Sequence, residues 1–216
     1  MEITIAKALF SSRSYAEYRK LVSDLLRDEK STGTMQSTEL THYSSLNENR
    51  MNRLDKTLVV PEEIDAKLKE LKGNYIWLVI SEGWCGDAAQ LLPVFNKMVE
   101  ASEDRIEMRI VLRDEHEELM NKFLTNKGKA IPKLIVINKE TSGALAHWGP
   151  RPLGASTLIT DYKKQHGAID EEAKTALHLW YTKDKGLTTQ LEIIDMMIDL
   201  DKEIEAEEND DSYFAY

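Results

Sequence analysis

The pattern of apolar and polar residues in the middle of the chain predicts strands that are separated by helices. The continuous apolar run from Tyr75 to Ile80 predicts a buried strand, and Ile106 to Leu112 predicts a second. A third run contains Pro132, and a short antiparallel strand from Ala144 to Trp148 follows a turn at residues 141–143. Helices are predicted between and after the strands, over residues 86–101, 115–124 and 156–165. This order predicts an α/β domain with a mixed sheet covered by helices on both faces.

Helices are also predicted on both sides of this unit. Apolar residues at helical spacing mark one helix over residues 15–26 and another over residues 40–54, and Pro61 begins a further helical turn. Two more are predicted over residues 171–181 and 188–205. We therefore divide the chain into an N-terminal helical extension, residues 1–60, a core, residues 61–166, and C-terminal helices with an acidic tail, residues 167–216. The extensions are expected to pack on the core as one structural domain.

Composition and charge narrow the possible partners and location. The 216 residues carry a formal net charge of −10, which disfavours nucleic-acid binding because phosphate contacts need clustered Lys and Arg. No apolar stretch approaches the roughly 20 residues that a membrane-spanning helix needs. The first residues do not resemble a secretory signal, and a single cysteine fits a reducing cytoplasm. Much of the acidity lies in residues 199–211, which we expect to be a solvated helix end that runs into disorder.

The single cysteine is the main candidate for chemistry. Cys85 follows the first predicted strand directly and precedes a predicted helix, within Trp84-Cys85-Gly86-Asp87-Ala88. The partial positive charge of a helix N-terminus stabilises a thiolate, although Glu82 and Asp87 would oppose it. We expect a partly exposed thiol with a pKa modestly below that of a free cysteine. The alternative is a buried and inert cysteine.

These residues resemble the thioredoxin family, in particular bacterial members with W-C-G-D-C or W-C-G-D-A at the site. Trp84 precedes the cysteine, Pro93 follows it by eight residues, Ala130 to Ile137 matches the family's cis-proline strand, and Trp148-Gly149 matches its glycine loop. The resemblance implies a four- to five-stranded sheet, a cis Ile131–Pro132 bond and Cys85 as the catalytic residue. It also implies a shallow substrate-binding groove, formed by Trp84, Gly86, Asp87, Ile131, Pro132 and Gly149.

The departures from that family all affect its second thiol. Ala88 stands where the resolving cysteine would be, and Asp87 replaces the usual proline between the two cysteines. Val79 occupies the position of the buried aspartate that would deprotonate the second thiol. Without that thiol a buried carboxylate would only add a desolvation cost. The loss of the second thiol and the loss of this acid together indicate that the dithiol mechanism is lost.

Two functions remain open at this point. In the first, Cys85 performs monothiol exchange with a disulfide-containing protein or a low-molecular-weight thiol, and an external thiol resolves the mixed disulfide. In the second, the protein is a redox-inactive binding or accessory module that holds a peptide in the groove between Trp84 and Pro132. No cofactor is predicted, because no phosphate-binding glycine loop is present and the five histidines lack metal-ligand spacing. His147 is the nearest candidate partner for a Cys–His hydrolase.

Overall fold

Four helices precede the sheet. The structure, a computed structural model, describes the backbone of residues 2–213; residues 214–216 of the predicted tail lie outside the described residues. The helices are α1 (Ile3–Ser11), α2 (Tyr15–Arg27), α3 (Thr38–Thr57) and α4 (Glu62–Glu70). Ser14 begins α2 with a capping box, in which its hydroxyl accepts from the Glu17 N–H and the Glu17 carboxylate accepts from the Ser14 N–H. The predicted helices in this region are therefore present, and α1 is an additional one.

The central sheet has four strands, in the order β2-β1-β3-β4. They are β1 (Tyr75–Ser81), β2 (Ile106–Leu112), β3 (Lys133–Asn138) and β4 (Ala144–Trp148). Strand β1 pairs in parallel with β2 and antiparallel with β3, and β3 pairs antiparallel with β4. All six residues of β3 and six of the seven in β1 are buried, as central strands require. The predicted mixed α/β architecture is confirmed.

Five helices complete the fold: two lie between strands and three follow the last strand. They are α5 (Gly86–Ala101), α6 (Glu117–Met120), α7 (Leu153–His166), α8 (Glu171–Asp184) and α9 (Leu187–Tyr213). Helix α3 packs along α5, α4 and α9 pack against each other and against α5, and α8 packs on α7. None of these helices is long and apolar enough to cross a membrane. The cavity described below shows that α3 and α8, one from each extension, approach the N-terminus of α5.

One predicted helix is much shorter than expected. The helix predicted over residues 115–124 is only the single turn of α6, because the N–H groups of Lys122 and Phe123 bond to carbonyls three residues back instead of four. A tight turn follows, in which Asn126 and Lys127 have left-handed backbone angles, with φ of 50° and 65°.

The acidic tail also differs from the prediction. Helix α9 continues to Tyr213, and Asp201 within it is buried instead of solvated. Its carboxylate accepts hydrogen bonds from the N–H groups of Lys72 and Gly73, at 2.6 and 3.0 Å, and from the hydroxyl of Tyr75. Asp201 therefore provides hydrogen-bond acceptors for the N–H groups of the loop between α4 and β1. The charge pattern of the sequence does not reveal this structural role.

Candidate functional site

Cys85 lies at the N-cap of α5, directly after β1. Its sulfur accepts a hydrogen bond from the N–H of Ala88 at 3.4 Å, as an N-cap side chain does. The thiol donates to the backbone carbonyl of Ile131, with 3.3 Å between sulfur and oxygen. The sequence placed the cysteine correctly at the start of this helix. The S–H group of Cys85 therefore points toward the loop that precedes β3.

The thiol is buried, and the expectation of a partly exposed, more acidic cysteine is wrong. Only 8% of Cys85 is exposed. Burial raises the pKa of the Cys85 thiol to about 12, and the Asp87 carboxylate contributes to the rise. The N–H groups of Ala88 and Asp87 and the guanidinium of Arg151 lower the pKa, by less. The effect of desolvation on the Cys85 pKa is therefore larger than that of the positive end of the helix, on which the sequence-based expectation relied.

Glu82, which was expected to oppose the thiolate, has other partners. Its carboxylate accepts from the Thr32 hydroxyl and from the N–H of Asp114, the latter at 3.0 Å. Burial raises the pKa of Glu82, and the nearby Asp114 carboxylate acts in the same direction. Glu82 connects the loop before α3 to the end of β2, so its contacts are structural.

Asp87 is held by two residues that lie far from it in sequence. Its carboxylate forms an ion pair with Arg151 at 2.6 Å and accepts a hydrogen bond from the Tyr181 hydroxyl at 2.9 Å. Arg151 precedes α7, and Tyr181 lies on α8. Only 9% of Asp87 is exposed, so this pairing offsets the cost of burying its charge. Sequence analysis identified Asp87 but neither of its partners.

Three of the predicted binding residues line one cavity. Trp84, Gly86 and Asp87 form part of the wall of a cavity of about 370 Å³ between α3, α8 and the N-terminus of α5. Arg50 from α3 and His178 from α8 complete its polar side, and the guanidinium of Arg50 donates to the His178 ring at 3.1 Å. Neither residue was predicted, because each lies on a helix outside the core and no local motif marks it.

The other three predicted binding residues lie outside the cavity wall. Ile131 and Pro132 are buried, the bond between them is cis, and the Ile131 carbonyl accepts from Cys85. Gly149 has a φ of 110°, and a Cβ there would lie 2.5 Å from the Pro132 carbonyl oxygen. Glycine is therefore required for this close approach. These contacts pack the Pro132 loop against its neighbours and engage the carbonyl that an extended peptide would use.

His147 and metal ligation find no support in the geometry. The ring of His147 packs edge-on against Phe123, with 5.4 Å between ring centroids, and within residues 2–213 no hydrogen bond joins it to Cys85. No group of three or more His, Cys, Asp or Glu side chains in the described part of the chain is arranged to hold a metal ion. The chemistry of the site therefore rests on Cys85, Asp87 and the basic residues of the cavity.

Comparison with known proteins identifies the fold more closely than the activity. A sequence profile described as thioredoxin matches residues 33–163, more than half of the chain. No curated protein matches the chain. Two solved structures are similar, each with 19% identity over 87% of this chain and 98% of the other chain. One is an HIV epitope-scaffold (TM-score 0.54), and the other is a protein of unknown function from Pseudomonas aeruginosa (TM-score 0.52). The matched range includes α3, whereas α8 follows it.

Proposed function

Because the chain belongs to the thioredoxin family, we propose that it is a binding module built on that fold, in which Cys85 remains a neutral thiol. The observation that carries this proposal is the burial of Cys85, whose S–H group donates to the carbonyl of Ile131. A thiol in this position can neither ionise readily nor approach the sulfur of a bulky disulfide. The protein would then use the cavity beside Trp84 and Asp87 for recognition, without thiol–disulfide exchange.

The thiolate fraction gives the chemical reason. Only the thiolate is an effective nucleophile, and a pKa of about 12 leaves about one Cys85 in 10⁵ ionised at pH 7. An ordinary cysteine at the same pH is a few per cent ionised, which is about a thousandfold more. Ala88 adds a second obstacle, since no thiol at that position can resolve a mixed disulfide.

Alkylation by iodoacetamide as a function of pH tests the proposal. In the folded protein the rate should stay low and rise without a plateau up to about pH 10, because the buried thiol remains protonated. The same protein unfolded in urea should react with an ordinary cysteine profile, near pKa 8.5, and Cys85→Ser should not react under either condition. A folded-state plateau with an apparent pKa below about 9 would overturn the proposal.

Monothiol exchange is the second candidate, and one observation favours it. The N–H of Ala88 contacts the sulfur at 3.4 Å, and Arg151 is near enough to lower the thiol pKa, so part of a thiolate-stabilising site is present. In this reaction the thiolate attacks one sulfur of a disulfide, the S–S bond breaks, and the other sulfur leaves as a thiolate. An external thiolate then attacks the mixed disulfide and releases Cys85.

Intact mass after incubation with glutathione disulfide separates the two functions. Monothiol exchange predicts an adduct at Cys85 that persists until a thiol is added, whereas the binding module predicts no adduct in the folded protein. If the adduct forms, Ala88→Cys should shorten its lifetime only in part, because Val79 provides no buried acid to deprotonate the new thiol. Cys85→Ser is the control for modification elsewhere.

A further inference from the structure

We propose that the cavity at the N-terminus of α5 binds a small organic carboxylate, with the anion held by Arg50 and an apolar body against the apolar side chains of the wall. This inference rests on the proposed function in taking binding as the role of the site, and it adds the chemical class of the ligand. A volume of about 370 Å³ is within the range of small-molecule sites. It is too small for a folded partner.

The charge inside the cavity is opposite to that of the whole chain. Three cationic side chains, Arg50, Arg151 and Lys174, line it together with one carboxylate, that of Asp87. Lys174 forms an ion pair with Glu171 at 2.6 Å. Asp87 is already bound by Arg151 and Tyr181, so its charge is largely compensated. The chain carries a net charge of −10. A local excess of positive charge in such a protein favours an anion and disfavours a cation.

Arg50 is the residue with capacity left to bind an anion. Its guanidinium is half-buried and donates to the side chains of Asn47, at 2.7 Å, and His178, at 3.1 Å. Among the side chains that the structure describes, no carboxylate forms an ion pair with it. Burial lowers the pKa of Arg50, and the neighbouring Arg53 acts in the same direction, whereas the Asp87 carboxylate and Tyr181 raise it. The net direction is downward, so these neighbours compensate the buried charge only in part. A guanidinium binds a carboxylate through two parallel hydrogen bonds, which would supply that compensation.

Arg50 also directs the ligand to the end of α5. Its Nη1 atom lies 3.8 Å from the position that a Cβ on Gly86 would occupy. Gly86 is the first residue of α5, so the guanidinium and the positive end of the helix act on the same small volume. An anion held by Arg50 would thus lie beside the N-cap residue, Cys85, without requiring it as a nucleophile.

The wall also contains apolar side chains, and some of them are partly exposed. Leu46 is 45% exposed and Ile169 is 44% exposed, although both face the cavity. Burying such side chains under an apolar group gains about 25 cal/mol per Å² of surface removed from water. The anion-binding and apolar walls together fit a carboxylate on a hydrocarbon or aromatic body. The apolar members of the wall are Leu40, Tyr43, Leu46, Ile159, Ile169 and Leu177.

Calorimetric titration of the full chain with 4-phenylbutyrate and with the uncharged 4-phenylbutyramide tests this inference. The carboxylate should bind at least tenfold more tightly than the amide, because only the carboxylate pairs with the guanidinium. Arg50→Met should weaken carboxylate binding by about tenfold or more and leave amide binding unchanged. Arg53→Met is the matched control, since Arg53 is exposed on the same helix and does not line the cavity. It should bind the carboxylate like the unmodified protein.

Several outcomes would overturn the inference. They are equal affinities for acid and amide, no binding of phenylbutyrate at about 10 mM, and equal losses in Arg50→Met and Arg53→Met. Inorganic phosphate binding as tightly as phenylbutyrate would also overturn it, because the apolar wall would then contribute nothing. Circular dichroism melting of both variants establishes that they are folded. The outcome of the alkylation experiment does not depend on that of the titration. A reactive Cys85 together with carboxylate binding would refute only the neutral-thiol proposal. An unreactive Cys85 without carboxylate binding would refute only this inference.

Discussion

The thiol of Cys85 donates a hydrogen bond to the backbone carbonyl of Ile131, across 3.3 Å. A thiolate cannot donate this bond, and its negative charge would face the negative end of the carbonyl dipole. The contact therefore stabilises the neutral form, in addition to the effect of burial.

Asp87→Asn should make Cys85 more reactive. The substitution removes a carboxylate that raises the thiol pKa and releases Arg151, which lowers it. A fall of about one pKa unit would increase the alkylation rate at neutral pH by roughly three- to tenfold. The rate is measured with iodoacetamide in the folded protein. Asp161→Asn, an exposed carboxylate on α7, is the control and should leave the rate unchanged.

The stability of the protein should depend on Cys85 at alkaline pH. A thiol with a pKa of about 12 in the folded state and an ordinary value in the unfolded chain contributes stability below about pH 9, and this contribution is lost as pH rises toward 12. Between pH 9 and 10.5 the unmodified protein should lose about 2 kcal/mol more than Cys85→Ser. Urea denaturation of both proteins at each pH measures the difference. Parallel pH profiles would show that the thiol is not held neutral.

Tyr181→Phe should destabilise the protein by about 1.5 to 3 kcal/mol, because the nearly buried Asp87 carboxylate loses a hydrogen bond. Tyr162→Phe is the matched control. The Tyr162 hydroxyl donates to Asp170 in an exposed position, where water replaces the lost partner, so the cost should be about 0.5 kcal/mol or less. Chemical denaturation compares the two free energies of unfolding. Equal losses would mean that Tyr181 contributes no more than a surface contact.

Gly149→Ala should cost more than Gly167→Ala, although both glycines have positive φ, of 110° and 81°. A Cβ on residue 149 would meet the Pro132 carbonyl oxygen at 2.5 Å, whereas nothing lies within 4 Å of one on residue 167. We expect Gly149→Ala to lower the free energy of unfolding by about 2 to 5 kcal/mol, through backbone strain and overpacking. Gly167→Ala should lower it by about 1 kcal/mol, through backbone strain alone. Thermal and urea unfolding measure both. A smaller loss at residue 149 would argue against the tight packing of the Pro132 loop.

Local sequence predicted much of the core correctly. Helix α5 was predicted over residues 86–101 and strands β2 and β4 over residues 106–112 and 144–148, and the structure has the same bounds. These elements are defined by neighbouring residues: β2 by partly alternating apolar and polar positions, β4 by the turn at residues 141–143, and α5 by Gly86 and Asp87 at its start. Helix α6 was overpredicted because apolar spacing does not reveal that the chain changes to three-residue turns at Lys122 and Phe123.

The candidate site was predicted only in part, for a related reason. Trp84, Gly86 and Asp87 are close together because they are consecutive or nearly so, and they do line one cavity. Arg50 comes from α3, where apolar periodicity predicted the helix but gave no sign that Leu40, Tyr43 and Leu46 would face a cavity instead of the core. Periodicity identifies an apolar face and leaves open what that face contacts.

The sequence by itself determined that a single thiol stands at the start of a helix in a thioredoxin-like fold. It also determined that no second thiol of this chain can resolve a mixed disulfide at Cys85. Only the tertiary structure decided that this thiol is buried, which raises its pKa. Burial and pKa depend on groups from distant parts of the chain, such as Ile131, Arg151 and Tyr181, which the fold brings to residues 85–87. Spacing along the chain determines local conformation, whereas desolvation and charge pairing depend on which distant elements come into contact.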